Sequence, residues 1–167
     1  SYFLHGPVVT GKTHLAVAVM RSEIYNIEPV SMGFHWGLDH ESLPVFVNAG
    51  DLLLEIQDAA CDEHNLSPSV RALLQSVLNR NLVVLDDLDV TGQPSWALSA
   101  LFTVIDRRYR GDRRTIITSN NTLDDIKRED IKIASRIAGL CKLKEMQCPF
   151  IAPKGGADDS NVDKNQQ

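Results

Sequence analysis

Residues 6–13 read Gly-Pro-Val-Val-Thr-Gly-Lys-Thr and match the pattern G-x-x-x-x-G-K-[ST] in full. An apolar run at 2–4 precedes this stretch, and a run with helical spacing of its apolar residues follows it at 14–20. Strand, glycine-rich loop and helix in this order are typical of a loop whose backbone N–H groups wrap phosphate groups. Because the flanking elements have the required order, a chance match is disfavoured. The stretch therefore predicts a nucleotide-binding loop.

Each polar part of this loop has a chemical role in holding a nucleotide. The pattern assigns Lys12 to the β and γ phosphates and the Thr13 hydroxyl to a Mg2+ ion. The helix that begins near Lys12 also points the positive end of its dipole at the anion. The predicted cofactors are thus ATP or ADP with Mg2+. The residues expected to contact the nucleotide are Gly6, Pro7, Val8, Val9, Thr10, Gly11, Lys12, Thr13 and His14.

Val9 is the one unusual residue in the loop. Many phosphate-binding loops carry glycine at this position, and a β-branched side chain is strained wherever the backbone needs a positive φ. We therefore expect Val9 to weaken the cradling of phosphate and to reduce nucleotide affinity.

Composition limits the kind of protein this is. At 167 residues, 43% hydrophobic and 23% charged, the chain is expected to form one globular domain. We expect its core at 1–150 and a disordered tail at 151–167, where Pro, Gly, Asp, Asn and Gln dominate. The net charge of -5 argues against binding nucleic acid over the whole surface. With no apolar stretch of spanning length and no basic leader, a cytoplasmic protein without membrane contact is expected.

Beyond the loop, strand-like and helix-like segments alternate along the chain. Apolar runs predict strands at 45–47, 82–85 and 115–118, and an alternating segment predicts an edge strand at 142–146. Helices are predicted at 12–23, 51–61, from Ser67-Pro68 onward, around 96–105, at 122–127 and at 130–139, with a long loop at 25–44. This alternation predicts an α/β fold in which a parallel sheet lies between two layers of helices.

Polar residues follow two of the predicted strands. Asp86 and Asp87 come directly after a buried strand, where Asp86 can hold Mg2+ and Asp87 can polarise the attacking water. Asn120 follows the strand at 115–118, where its amide could orient that water or touch the γ phosphate. The alternatives are a helix cap for the acidic pair and ordinary turn chemistry for Asn120. Together with the phosphate loop, the placement favours the catalytic roles.

Arginines pose two further questions. Arg136 lies on a short predicted helix and is either an ordinary surface residue or one that acts on a neighbouring subunit's nucleotide. Five arginines also fall within 107–114. Such a cluster is either a solvated helix end or a strip that touches a DNA backbone or an adjacent subunit.

Several motifs together resemble a known family. The segments at 6–16, 82–88, 105–109, 115–120 and 135–137 are similar, in order and spacing, to the AAA+ domains of the DnaC/DnaI helicase-loader and IstB transposition-ATPase group. The resemblance covers about 1–147. It implies a three-layer P-loop NTPase of the ASCE/AAA+ type with strand order 5-1-4-3-2 and little or no C-terminal lid. It also implies Lys12 and Thr13 as phosphate and Mg2+ contacts, Asp86 and Asp87 as the acidic pair, Asn120 as the first sensor and Arg136 as a finger acting in trans.

The same resemblance supplies the predicted function. It implies the ATP-hydrolysing core of a helicase loader in DNA replication, slow as an isolated domain, with self-association through Arg136. The implied partners are a replicative helicase or a transposase, together with DNA of single-stranded form. Two alternatives remain open: an IstB-like transposition ATPase, and a nucleotide-gated adaptor with little hydrolysis. The family's loaders carry an N-terminal helicase-binding region, which we expect this chain to lack.

Overall fold

The computed structural model describes residues 1–26, 43–61 and 67–147. Within them, five parallel strands form one sheet in the order β2-β3-β4-β1-β5. The strands are β1 (Tyr2–His5), β2 (Val45–Asn48), β3 (Leu82–Asp86), β4 (Arg114–Ser119) and β5 (Lys142–Glu145). Read from the other end, this is the predicted order 5-1-4-3-2, so the predicted fold is confirmed.

The helices of the described regions connect these strands. They are α1 (Lys12–Asn26), α2 (Ala49–Cys61), α3 (Pro68–Asn79), α4 (Ser95–Arg110), α5 (Leu123–Glu129) and α6 (Ile131–Leu140). The predicted start of α3 is confirmed, because the Ser67 hydroxyl accepts a hydrogen bond from the Val70 N–H and Pro68 is its first residue. None of these helices is long and apolar enough to cross a membrane.

Alternate residues of the buried strands face two different cores. Val83 and Leu85 pack with residues of α2, α3, α4 and α6, whereas Leu82 and Val84 pack against α1 through Ala16. Since successive side chains of a strand point to opposite faces, a strand covered on both faces reads as a continuous apolar run. The three-layer arrangement predicted from the sequence is confirmed.

Two predicted boundaries are wrong by a few residues. α1 continues through Tyr25 and Asn26, which the sequence prediction assigned to a loop. Neither glycine nor proline occurs between 12 and 28 to end the helix earlier. α2 begins at Ala49 because the Asn48 side chain accepts hydrogen bonds from the Gly50 and Asp51 N–H groups, which caps the helix. The remainder of the predicted loop, at 27–42, and the predicted tail lie outside the described residues.

Candidate nucleotide-binding site

The carboxyl ends of several strands meet at one pocket. The loop after β1, the acidic residues after β3 and the end of β4 surround a cavity of about 310 Å³. In a parallel α/β sheet, ligands bind at this edge. The lining residues are Val8, Val9, Thr10, Gly11, Lys12, Thr13, His14, Asn48, Asp86, Asp87, Thr118 and Asn120.

Lys12 is held inside the loop by backbone carbonyls. Its ammonium group donates hydrogen bonds to the carbonyl oxygens of Gly6, at 2.9 Å, and Pro7, at 2.7 Å. Burial lowers the pKa of Lys12, and the carboxylates of Asp87 and Asp86 oppose that effect. Gly6 and Pro7, both predicted nucleotide contacts, therefore position the lysine and do not line the cavity themselves.

Gly6 is required by a close backbone approach. Its φ is 146°, and a Cβ at this position would lie 2.4 Å from the carbonyl oxygen of Met146. That contact arises because the Met146 N–H donates to the His5 carbonyl at 2.7 Å, which continues the pairing of β1 with β5. Any side chain at Gly6 would push the loop away from the sheet.

Val9 has the torsion that the sequence suggested would be strained. Its φ is 64°, a left-handed conformation that costs an L-residue roughly 1–2 kcal/mol. The side chain is 77% exposed, so no packing of the isopropyl group offsets the strain. The condition under which the sequence analysis expected strain at Val9 is met, and the effect on nucleotide affinity stays a prediction.

Thr13 and Asp86 form the candidate metal site. The Thr13 hydroxyl donates a hydrogen bond of 2.9 Å to Oδ1 of Asp86, across 73 positions of the sequence. Asp86 is buried and Thr13 is exposed to the cavity. One hydroxyl and one carboxylate at this spacing fit Mg2+, which binds protein through one or two oxygen ligands and keeps several waters.

Thr118 orients both members of the acidic pair, and the sequence analysis did not identify it. Its hydroxyl donates to Oδ1 of Asp86 at 2.7 Å and accepts from the Asp87 N–H at 2.9 Å. Asp87 has a left-handed φ of 54°, so that second bond holds a strained backbone in place. A threonine at the end of the predicted strand at 115–118, directly after two isoleucines, was the signal in the sequence that could have identified this residue.

Asn120 contacts the second acidic residue. Its side-chain amide donates to Oδ1 of Asp87 at 3.2 Å, and both side chains are exposed at the mouth of the cavity. The structure thus brings together Asp87 and Asn120, which the sequence placed 33 positions apart. A carboxylate and an amide in this arrangement can orient a water molecule.

Asn48 is a second lining residue that the sequence analysis missed. It ends β2 opposite Asp86 of β3 in the parallel register, and its side chain caps α2. A polar residue directly after the apolar 45–47 run, beside the acidic strand, was the signal that could have found it.

Arg136 lies away from this cavity, on α6. Its Nε donates to Oδ1 of Asp106 at 2.7 Å, and its guanidinium lies near the rings of Phe102 and Tyr109. A separate hollow of about 440 Å³ adjoins it, lined by Phe102, Ile131, Lys132, Ser135 and Arg136. The structure therefore does not bring Arg136 to the nucleotide site of its own chain.

The cluster at 107–114 is not one exposed strip. Arg107, Arg108 and Arg110 do lie in the last turn of α4, as the helix-end interpretation has it, but Arg108 is buried and not solvated. Contact of the exposed arginines with DNA or with an adjacent subunit stays a prediction. Arg108 is only 1% exposed and donates to the carbonyls of Val77 and Arg114 and to the Thr115 hydroxyl. Three of the other arginines also contact acceptors in the same fold. Arg110 binds Asp106, Arg113 binds the Asn79 carbonyl, and Arg114 makes a bidentate pair with Glu23. For Arg107, no described residue is a partner. Carbonyl and carboxylate acceptors compensate the repulsion between the guanidinium groups.

The fold and the site together define a P-loop NTPase. A lysine-bearing glycine loop follows β1, the carboxylate of Asp86 ends the buried strand β3 on the other side of β4, and the sheet has the strand order of this class. The sequence model of the family described as IstB-like ATP binding protein matches residues 2–137. The chain belongs to this family and is an AAA+ ATP-binding domain of the DnaC and IstB type.

Individual relatives agree with this assignment. The chain is 26% identical over 147 residues to the uncharacterized protein YqaM of Bacillus subtilis strain 168, with 85% of this chain and 41% of that protein covered. A crystal structure of the DnaC helicase loader superimposes with a TM-score of 0.68 at 25% identity, covering 87% of this chain and 77% of that one. A crystal structure of DnaI has a TM-score of 0.67 at 19% identity, covering 88% and 73%.

Proposed function

We propose that this chain binds ATP with Mg2+ and hydrolyses it slowly until neighbouring copies assemble. The observation that carries the proposal is the convergence of Lys12, Thr13, Asp86, Asp87 and Asn120 on one cavity from three separate strands. These residues supply an ammonium group, a hydroxyl, two carboxylates and an amide at the cavity, and phosphoryl transfer uses groups of these kinds to bind phosphate, metal and water. Membership of an ATP-binding family supports the choice of nucleotide.

The residues divide the work of binding and turnover. Lys12 and the N–H groups of 8–13 bind the phosphates, and Thr13 with Asp86 would hold Mg2+ at the edge of the loop. When bound, the metal neutralises negative charge on the phosphates. Asp87 orients the attacking water and accepts its proton, while Asn120 fixes the Asp87 carboxylate through the contact at 3.2 Å. Thr118 holds the Asp86 carboxylate and the Asp87 backbone in position.

Arg136 completes the site of a neighbouring copy. It does not line the cavity of its own chain, and a guanidinium supplied in trans can accelerate transfer about 10³-fold or more. In this proposal, self-association through the α4–α6 face couples ATP turnover to assembly on DNA.

The partner is a replicative helicase, and DNA is bound in single-stranded form. The likeness to the DnaC helicase loader supports this choice. The family match favours a second candidate, an ATPase that assists a transposase. The chain spans 41% of the length of its curated relative, and both roles are proposals. Binding assays of the protein with a purified helicase and a purified transposase would separate them.

Phosphate release, measured as a function of protein concentration, tests the proposed reaction. We expect a low rate per subunit in dilute protein that rises with concentration, and no turnover above background for Asp87→Asn at any concentration. Arg136→Ala should remove the concentration dependence. A high rate that stays flat from dilute to concentrated protein would contradict the trans arrangement, and the absence of hydrolysis at every concentration would favour the nucleotide-gated adaptor.

A further inference from the structure

Arg136 is held in place by a carboxylate that it shares with another arginine. Oδ1 of Asp106 accepts from Nε of Arg136 at 2.7 Å, while Oδ2 accepts from Arg110. The Asp106 side chain is 8% exposed, whereas the Arg136 side chain is 36% exposed. The acceptor is therefore fixed inside the fold, and the guanidinium that it holds reaches the surface.

Two aromatic rings complete this support. The central carbon of the Arg136 guanidinium lies 5.2 Å from the centre of the Tyr109 ring and 5.9 Å from the centre of the Phe102 ring. Both distances are within the range of cation–π attraction. Gly139 lets the Tyr109 ring lie against α6, because a Cβ there would come within 2.9 Å of the ring. Carboxylate and rings together restrict the rotamers of a side chain that is otherwise long and flexible.

The contact with Asp106 uses only one of the nitrogen atoms of the guanidinium. An arginine that neutralises a carboxylate at a surface commonly does so through a bidentate pair, as Arg114 does with Glu23. Arg136 uses Nε instead, and no described residue accepts a hydrogen bond from its two terminal amino groups. Arg136 also lines the hollow together with Phe102, Ile131 and Ser135. Two such donors suit the recognition of a phosphate.

We propose that Asp106 is a positioning residue, which aims the guanidinium of Arg136 at the γ phosphate bound by a neighbouring copy. The inference rests on the proposed function, in which Arg136 acts in trans. Asp106 does not line the nucleotide cavity, and its effect on turnover passes through Arg136. Arg110 holds the second oxygen of the same carboxylate, so Asp106 keeps a fixed orientation while Arg136 engages its target.

The test is ATP turnover by the full chain at concentrations where subunits assemble. Asp106→Asn is expected to lower kcat by about tenfold to a hundredfold, because small displacements of a group that acts in the transition state have effects of this order. KM and the nucleotide Kd should stay the same, since the residues of the nucleotide cavity are untouched. Asp124→Asn makes the same change of charge at an exposed position of α5 and should leave kcat unaltered.

A second step separates positioning from plain structural support. In an Arg136→Ala background, Asp106→Asn should cause no further loss, because its effect passes through the missing arginine. Losses that multiply in the double variant would overturn the inference. So would an unchanged kcat in Asp106→Asn when Arg136→Ala is impaired, and in that case the proposed function would stand. An unchanged kcat in Arg136→Ala would refute the trans arrangement itself.

Asp106→Glu guards against a variant that fails to fold. It keeps the charge and the pairing with arginine but moves the carboxylate by one methylene group. We expect a melting temperature close to that of the wild type and a lower kcat with unchanged KM. If both the melting temperature and kcat equal those of the wild type, Asp106 does not set the position of Arg136.

Discussion

The two edges of the sheet both gather charged residues, but they arrange them differently. Where the strands end, Lys12, Thr13, Asp86 and Asp87 face a common cavity. Where β3 and β4 begin, Arg108 and its neighbours face acceptors of their own fold. Arg108 alone binds the carbonyls of residues near the end of α3, of Arg114, and the hydroxyl of Thr115.

Polar groups that face a cavity can form a binding site, whereas polar groups that bind acceptors of the same fold stabilise the structure. The carbonyls at the end of a helix lack partners within that helix, and a guanidinium with five donors can satisfy several of them at once. Arg108 does this at the end of α3, which ties that helix to β4. At the opposite edge, the polar groups are held by short contacts to one another and still face open space. The location of acceptors, and not the density of charge in the sequence, therefore decides the role.

Replacing Arg108 should have the largest effect on stability and none on the site. Arg108→Met keeps the length of the side chain but leaves buried carbonyls without a donor, so we expect the free energy of unfolding to fall by about 3 kcal/mol. The nucleotide affinity of the folded protein should not change. Urea denaturation and a nucleotide titration measure the two quantities, with exposed Arg107→Met as the control. A weaker nucleotide affinity without loss of stability would show that the arginine edge is functional.

Replacing Thr118 should weaken Mg2+-dependent nucleotide binding at the cavity, whereas replacing Arg108 should lower stability. Thr118→Val preserves the shape of the side chain but removes the hydroxyl that orients Asp86 and Asp87. Residues that orient metal ligands commonly contribute about 10-fold to 100-fold to metal affinity, so the Mg2+ concentration needed for tight nucleotide binding should rise by at least about tenfold. Thr118→Ser keeps the hydroxyl and serves as the control. The same Mg2+ dependence in all three proteins would contradict this role.

Replacing Val9 should change the affinity of the loop for nucleotide. Val9→Gly removes strain of roughly 1 kcal/mol at a φ of 64°. The part of this strain that opposes closure of the loop on phosphate is removed from the cost of binding, so the Kd for nucleotide should fall by up to about fivefold. Val8→Gly, at an exposed neighbour without a positive φ, is the control. An equal or weaker affinity in Val9→Gly would show that the position does not need a glycine torsion.

The pair between Glu23 and Arg114 should contribute least. Because the Arg114 side chain is 55% exposed, solvent screens the pair, and Glu23→Gln should lower the free energy of unfolding by only about 0.5 kcal/mol. The hydrogen bond from Arg114 lowers the pKa of Glu23 from its ordinary 4.5. A lowered pKa stabilises the fold above that value, so the difference between variant and wild type should vanish as the pH falls well below it. A difference that persists in acid would assign the effect to packing.

Sequence reasoning succeeded where a short segment carries its own constraint. The loop at 6–13, the buried run before Asp86 and the pair Ser67-Pro68 each have local chemistry that permits few structures. One residue in a known loop shape was also enough to mark Val9 as a position of strain wherever the loop needs a positive φ, and its φ is 64°.

The rest depends on contacts between distant segments. Thr118 and Asn48 belong to the site only because parallel register sets Asn48 beside Asp86 and brings β4 next to β3. The pattern of the sequence contains neither pairing. Arg108 was misjudged for the same reason, since its acceptors lie as many as 31 positions away. The contact between Asp106 and Arg136 could not be predicted, because the sequence does not indicate that α4 and α6 pack together.

Binding of a fluorescent ATP analogue in the presence of Mg2+ tests the central claim most directly. The account places the phosphates at residues 6–13, with Lys12 as the principal cation. The wild type and Lys127→Ala, which removes an exposed lysine from α5, should bind the analogue to saturation with the same Kd. Lys12→Ala should show no saturable binding. An unchanged Kd in Lys12→Ala would contradict the assignment of this cavity as the nucleotide site.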